Sequence, residues 1–372
     1  MWLSLEHKYL FADWQYNKRK STQCENWLKD KENITNMIFC ITFRKQPLSM
    51  TLGNHSTITE FLLLRLSTDP HIQALLFVLF LEIYLLTLMG NLMMLLVIRA
   101  DSHLHMPMFF FLSHLSLLDL CLSSVTVPKM LKDLLSETKT ISLSDCLAQG
   151  FFVFITAGTE ACLLSAMAYD SYATICHPLL YRQMMKKQLC VQLVWGSWGL
   201  GFLKALINIL KATNLDFCEN HTISRYSCEV PSLFPLSWSD VSINLTVLLC
   251  SSLMPGFGAL LPIVFSCACI VPTILSISST SGWRKAFSTC SSHVVVVSFF
   301  YVSAFLRYLT PISGSPVELI FSVQYGVVTP MVNPLIYSLK NKELKAAVRR
   351  TLNMYLLCSR LEKKKRQRKM GN

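Results

Sequence analysis

Charge is scarce in this chain. Asp, Glu, Lys and Arg make up 15% of its 372 residues, whereas a soluble domain usually carries about 25%. With 52% of the residues hydrophobic, that shortage points to a membrane. Other features are missing too. The 14 cysteines are scattered, with no CxxC pair or His/Cys cluster to argue for a metal. Most lie in apolar runs, where cysteine packs as a small hydrophobe. No phosphate-cradling glycine loop, dinucleotide fingerprint or GxSxG elbow occurs, so the sequence carries no enzyme signature. The apolar runs lack period-two alternation, which excludes a membrane barrel and leaves helices.

What is present is seven apolar runs, near Ala74–Ile98, Phe109–Leu131, Leu147–Ile175, Leu189–Leu210, Val241–Ile277, Ala286–Tyr308 and Leu319–Leu339. A bilayer core needs about 20 such residues in a helix. The sequence therefore predicts an all-α membrane protein. Basic residues follow run one (Arg99) and run three (Arg182, Lys186, Lys187), precede run six (Arg284, Lys285) and follow run seven. The positive-inside rule places these on the cytoplasmic side and the N-terminus outside. The sequon Asn54-His-Ser56 before run one agrees and is a glycosylation candidate.

The ends differ from the middle. Residues 1–49 are polar and lack the apolar stretch of a signal peptide. They read as a disordered extension or as sequence upstream of a start at Met50. Residues 50–73 form an outer N-terminus, 74–339 the helical domain and 340–372 a cytoplasmic helix and basic tail. Lys340 to Asn372 holds 12 basic and 2 acidic residues. Following a hydrophobic span, such a tail suits anionic lipid rather than nucleic acid. A plain solvated tail is the other reading.

Several polar residues lie inside the runs. Asp119 and Glu160 are acids in apolar helices, which marks them as functional candidates. If runs two, three and seven adjoin, both can converge with Asn91 and Asn333 on a polar core. Two carboxylates together call for a cation or a shared proton. Pro334 removes a backbone donor and should kink run seven. Pro255, Pro262 and Pro272 share run five, where three prolines should bend or weaken the helix. Glu82 lies in run one. Lys204 and Arg307 lie near outer helix ends and can snorkel.

Five motifs then occur in order: Gly90-Asn91; Pro107-Met-Phe-Phe-Phe-Leu-Ser-His-Leu-Ser-Leu-Leu-Asp119; Met167-Ala-Tyr-Asp-Ser-Tyr-Ala-Thr-Ile-Cys-His-Pro-Leu-Leu-Tyr181; Lys285-Ala-Phe-Ser-Thr-Cys-Ser-Ser-His293; and Pro330-Met-Val-Asn-Pro-Leu-Ile-Tyr-Ser-Leu339. Together they resemble the olfactory receptors, rhodopsin-like G-protein-coupled receptors, over roughly four fifths of the chain, from Met50 to Leu352. The resemblance implies a seven-transmembrane-helix bundle with a short amphipathic C-terminal helix. It implies an odorant receptor in the plasma membrane that binds a small volatile and activates the stimulatory olfactory G protein.

By family position, Phe154, Ala157, Gly158, Tyr301, Ala304, Phe305 and Tyr308 would line the ligand site, with two phenol hydroxyls to orient a ligand. No acid sits in the outer half of run three, so an uncharged volatile fits better than an amine. Cys146 would pair with Cys228 in a disulfide. Asn333, Pro334 and Tyr337 would form an activation switch, and Asp170, Ser171 and Tyr172 the coupling face. Asn91, Asp119 and Glu160 form the polar core. A sodium ion at Asp119 and Glu160 is implied, the alternative being a protonated pair without one; no other cofactor is. The metal-binding loop motif of some relatives lacks its histidine here, where Arg225 precedes Cys228.

The chain also departs from the pattern. Ser171 stands where the family carries the arginine that contacts the G protein, and it has neither the charge nor the reach. Cys267 replaces a tyrosine near the end of run five. An alternative reading is therefore a signalling-impaired or decayed member retained in the endoplasmic reticulum. A channel or transporter is the remote alternative, since the two halves show no repeat.

Overall fold

Asp69 starts the first long helix. Its carboxylate accepts the amide of His71 at 2.8 Å, and Pro70 stands at the first helical position, where its missing N–H has no cost. From here the computed structural model describes nearly every apolar run. The described residues are 60–63, 69–136, 140–215, 222–223, 230–237, 241–276, 287, 291, 293–304, 316–341, 343–351 and 353.

The helices are α1 (Pro70–Ala100), α2 (Pro107–Leu135), α3 (Leu143–Cys176), α4 (Lys187–Ala212) and α5 (Ser242–Leu275). All five are long and apolar enough to cross a membrane. Next come α6 (His293–Ala304) and α7, in which Pro316–Val323, the π-helical turn Gln324–Val328 and Thr329–Lys340 run on without a break. Residues 343–351 form α8. Five of the predicted runs thus extend a few residues further at most ends than expected, because capping residues such as Asp69 and Ser142 lie outside the apolar stretch. The ends of run six lie outside the described residues.

α3 is the central helix. It packs on α2, α4 and α5 and is the most buried of the five, whereas α1 is the least. Ser142 caps α3 by accepting the amide of Asp145 at 3.1 Å. The crossing of α3 and α4 is set by Gly201. A Cβ there would stand 2.7 Å from the carbonyl oxygen of Ile155, closer than any side chain can approach. Small residues let membrane helices meet backbone to backbone in this way. Around α3 lies one core that includes Leu115 and Leu118 of α2, Leu163 and Leu164 of α3, Val296 of α6 and Tyr325 of α7.

α5 keeps its continuity through three prolines. It is one α-helix of 34 residues with Pro255, Pro262 and Pro272 inside it. Prolines leave carbonyls without donors, and membrane helices tolerate this when neighbours re-satisfy them.

At the N-terminal end of α3, a short sheet joins distant segments. β1 (Glu60–Leu63) pairs antiparallel with β2 (Thr140–Ser142) and parallel with β3 (Thr222–Ile223). At the other end of the bundle, Asn341 caps α8 by accepting the amides of Glu343 and Leu344. Leu344, Ala347 and Thr351 are buried while Glu343, Lys345, Arg349 and Arg350 are exposed. That spacing is the stripe of an amphipathic helix. Arg350 grips Asp101, just past the end of α1, through Nε at 3.0 Å and Nη2 at 2.5 Å.

Candidate functional site

Pro334 determines much of the polar centre. Having no N–H, it cannot bond the carbonyl four residues earlier, that of Pro330. Asn91 of α1 supplies the missing donor: its side-chain amide reaches the Pro330 carbonyl at 2.9 Å and the Thr87 carbonyl at 3.0 Å. Gly90 makes the approach possible, since a Cβ there would lie 3.3 Å from the Pro334 ring. The Gly90-Asn91 motif and the proline of α7 are therefore one interlock.

About one turn along α7, the Asn333 amide donates to both oxygens of Asp119, at 3.1 and 3.2 Å. Glu160 of α3 lies beside the same amide and is an electrostatic neighbour of Asp119. The Tyr325 hydroxyl donates to its Oε2 at 3.4 Å, while its Oε1 has no partner. Tyr337 is 1% exposed, and its hydroxyl is also without a partner. Asp119, Glu160 and Asn333 are thus brought together, and Asn91 joins them through Pro330 rather than by touching a carboxyl group. Oxygen donors with an orphaned carboxyl oxygen suit a small hard cation, and Asp119 and Glu160 are the residues that would hold one.

The cytoplasmic-motif end of α3 is built differently. Ser171 is 9% exposed, and its hydroxyl turns back to the Met167 carbonyl of its own helix at 3.0 Å. Asp170, also buried, accepts a hydrogen bond from the Tyr181 hydroxyl at 2.8 Å. Burial and the Asp170 charge push the Tyr181 phenol upward, so it stays a donor. Tyr172 pairs with His177 at 2.9 Å and rests against Phe265 of α5. Cys176 meets Thr273 of α5 at 3.5 Å. Asp170 has lost the family's neighbouring arginine, but it is not left unpaired.

The expected ligand wall is only partly gathered. Phe154 is 7% exposed, and Ala157 packs on the main core. Gly158 faces α4: a Cβ there would meet the Gly201 backbone at 3.0 Å and the Lys204 stem at 3.5 Å. The Tyr301 hydroxyl donates to the Gly256 carbonyl of α5 at 3.2 Å. The Tyr301 proton is therefore committed to the proline-interrupted α5, while its oxygen remains able to accept. Ala304 ends the described part of α6, and Phe305 and Tyr308 lie outside the described residues. Lys204 lies along α3, with its stem against Gly158 and its ammonium 5.7 Å from the Phe154 ring centroid. Cys146 is 1% exposed and disulfide-bonded; Cys228 and Asn54 lie outside the described residues.

Pro330, Tyr181, Tyr325 and Lys204 were missed as site residues. Only Pro330 was legible in advance, four positions before a proline.

Apolar helices of spanning length, packed around a buried carboxyl–amide centre, define a multi-pass membrane protein. The comparisons then give its kind. The family model for the olfactory receptors matches residues 80–354. The chain is 69% identical over 296 residues to human olfactory receptor 8S1, covering 80% of this chain and 82% of that one. It is 44% identical over 301 residues to human olfactory receptor 1J2, covering 80% and 96%, and 46% identical over 306 residues to mouse olfactory receptor 5M5, covering 81% and 95%. The chain belongs to the olfactory receptor family, whose members are G-protein-coupled receptors of sensory transduction, not enzymes.

Proposed function

We propose that the chain is an odorant receptor of the plasma membrane that binds a small volatile within a seven-helix bundle and activates the stimulatory olfactory G protein. The observation that carries this reading is the polar centre, where Asn333 of α7 holds Asp119 of α2 beside Glu160 of α3. A two-state element must connect ligand to output, and a ligand shifts it only through differential affinity. The Asn333-Pro334-Tyr337 segment has the parts for that: a missing backbone bond, a buried amide and an unpaired buried hydroxyl. The bundle has its N-terminus outside, with Asn54 glycosylated and Cys146 joined to Cys228. Asp119 and Glu160 hold a sodium ion in the inactive state. α8 and the basic tail lie against cytoplasmic lipid. Asp170, Tyr172 and the inner ends of α3, α5 and α6 face the G protein.

A second reading is a receptor that binds ligand but signals weakly. Its support is Ser171, whose hydroxyl is satisfied within α3 and offers no cation to a partner. Both readings are tested by odorant-panel cyclic AMP signalling with surface staining, for the native chain and Ser171→Arg. A native response supports the full receptor. A response from the arginine variant alone supports the second reading.

A further inference from the structure

The α3–α4–α5 junction contains a cation that no carboxylate accounts for. Lys204 lies eight residues before the end of α4 at Ala212, about 12 Å inside it. Its stem fills the groove left by Gly158, with Cδ 3.5 Å from the place of a Cβ there. Its ammonium lies over Phe154, one turn toward the N-terminal end of α3. Among the described residues, no Asp or Glu stands within ion-pairing distance of it. Lys204 is half-buried, and a ring face gives its ammonium only part of what an anion would. On the next turn of α4, the Asn208 amide holds both the Lys204 carbonyl and Ser251 of α5, so the backbone that carries the lysine is fixed.

We infer that Lys204 anchors the ligand's head group and that the preferred ligand is a small aliphatic carboxylate. The inference rests on the odorant-site reading above and narrows its ligand class. A carboxylate is favoured over a carbonyl or hydroxyl because hydrogen bonds between two ions are the stronger kind. Phe154 and Ala157 then offer apolar surface to the ligand's chain, and nothing described at the junction would hold an amine.

The test uses the full chain purified in lipid nanodiscs, with tryptophan quenching or thermal shift as the binding readout. The probes are matched carboxylates, aldehydes, alcohols and amines from butyl to decyl at neutral pH. The variants are Lys204→Met and Lys204→Arg. The native chain should bind carboxylates about tenfold or more tighter than alcohols of equal length, as expected for a charge-assisted pair. Lys204→Met should lose that preference while alcohols change by less than about twofold, and Lys204→Arg should recover most of it. Equal losses for acids and alcohols in Lys204→Met, or unchanged acid binding, would overturn the inference. So would a preference for aldehydes or amines. Binding without head-group preference overturns this inference and leaves the ligand-site reading standing. Binding of none of the series overturns both.

Discussion

Asp119 and Asp170 are both buried carboxyl groups in central helices, yet they are satisfied on opposite scales. Asp119 is held by an amide 214 residues away in sequence, so its bonds join α2 to α7. Asp170 is held by a phenol only 11 residues on, so its bond closes a local turn. The first arrangement makes the bundle one object. The second reaches only the short helix Tyr181–Met184 that follows α3 and asks nothing of the other long helices. Ser171 extends the contrast, because it bonds within α3 alone. The chain therefore departs from its family where departure leaves the packing undisturbed, and keeps the family pattern where a missing group would strand a partner.

The sharpest way to break this comparison is Asn333→Ala. It leaves the Asp119 carboxyl buried with no donor, an asymmetric loss of about 1–3 kcal/mol, more if the group is charged. A marked fall in surface staining and in the detergent unfolding midpoint is expected. Asn91→Ala comes next. It strands the Pro330 carbonyl, at about 1–3 kcal/mol, with the same two readouts. If either variant were as stable as the native chain, the polar centre would not be what joins α1, α2 and α7.

Ser171→Arg probes the other region. Ligand-stimulated cyclic AMP should rise, because arginine restores a fixed fork of donors at the coupling face. The unfolding midpoint should move far less than in Asn333→Ala, since Ser171 makes no interhelical bond. Tyr181→Phe should have a smaller effect still. It removes one hydrogen bond to Asp170 at the edge of the bundle, about 0.5 kcal/mol once solvent near the loop replaces part of it. Its expected signature is raised basal signalling in the Ser171→Arg background, with little change in surface level.

The sequence made the long helices legible because apolar length alone defines them, and α1 to α4 needed only a few residues added at each end. The acids Asp119 and Glu160 stood out for the same reason, as charge where charge is scarce. The interhelical partners were harder to see. Asn91 could be read as polar, but its bond to Pro330 follows only from knowing that α1 meets α7. Gly158 and Gly201 gave no sign of their roles, because close approach depends on the opposite helix. The π-helical turn Gln324–Val328 was missed, since its composition resembles ordinary helix. Lys204 was read by its distance from the helix end, whereas the groove at Gly158 sets its direction.

The smallest expected effect concerns the surface pair between Asp101 and Arg350. Arg350, and next the His103 backbone amide, hold the Asp101 carboxyl at about 2, below its ordinary 3.8. A depressed carboxyl contributes stability that is fully present above the ordinary value and is lost as pH falls through the folded one. Asp101 should therefore add no pH slope between about pH 5 and 8, and its contribution should fade from about pH 4 to about pH 2. Arg350→Ala should therefore cost a small amount of stability across the neutral region, cost nothing below about pH 2, and flatten the acid limb between them. Exposed pairs are weak and screened by salt, so high salt should mimic the substitution. A loss at neutral pH as large as that of Asn333→Ala would instead make α8 part of the structural centre, and the contrast between the interior and the α8 end of the bundle would no longer hold.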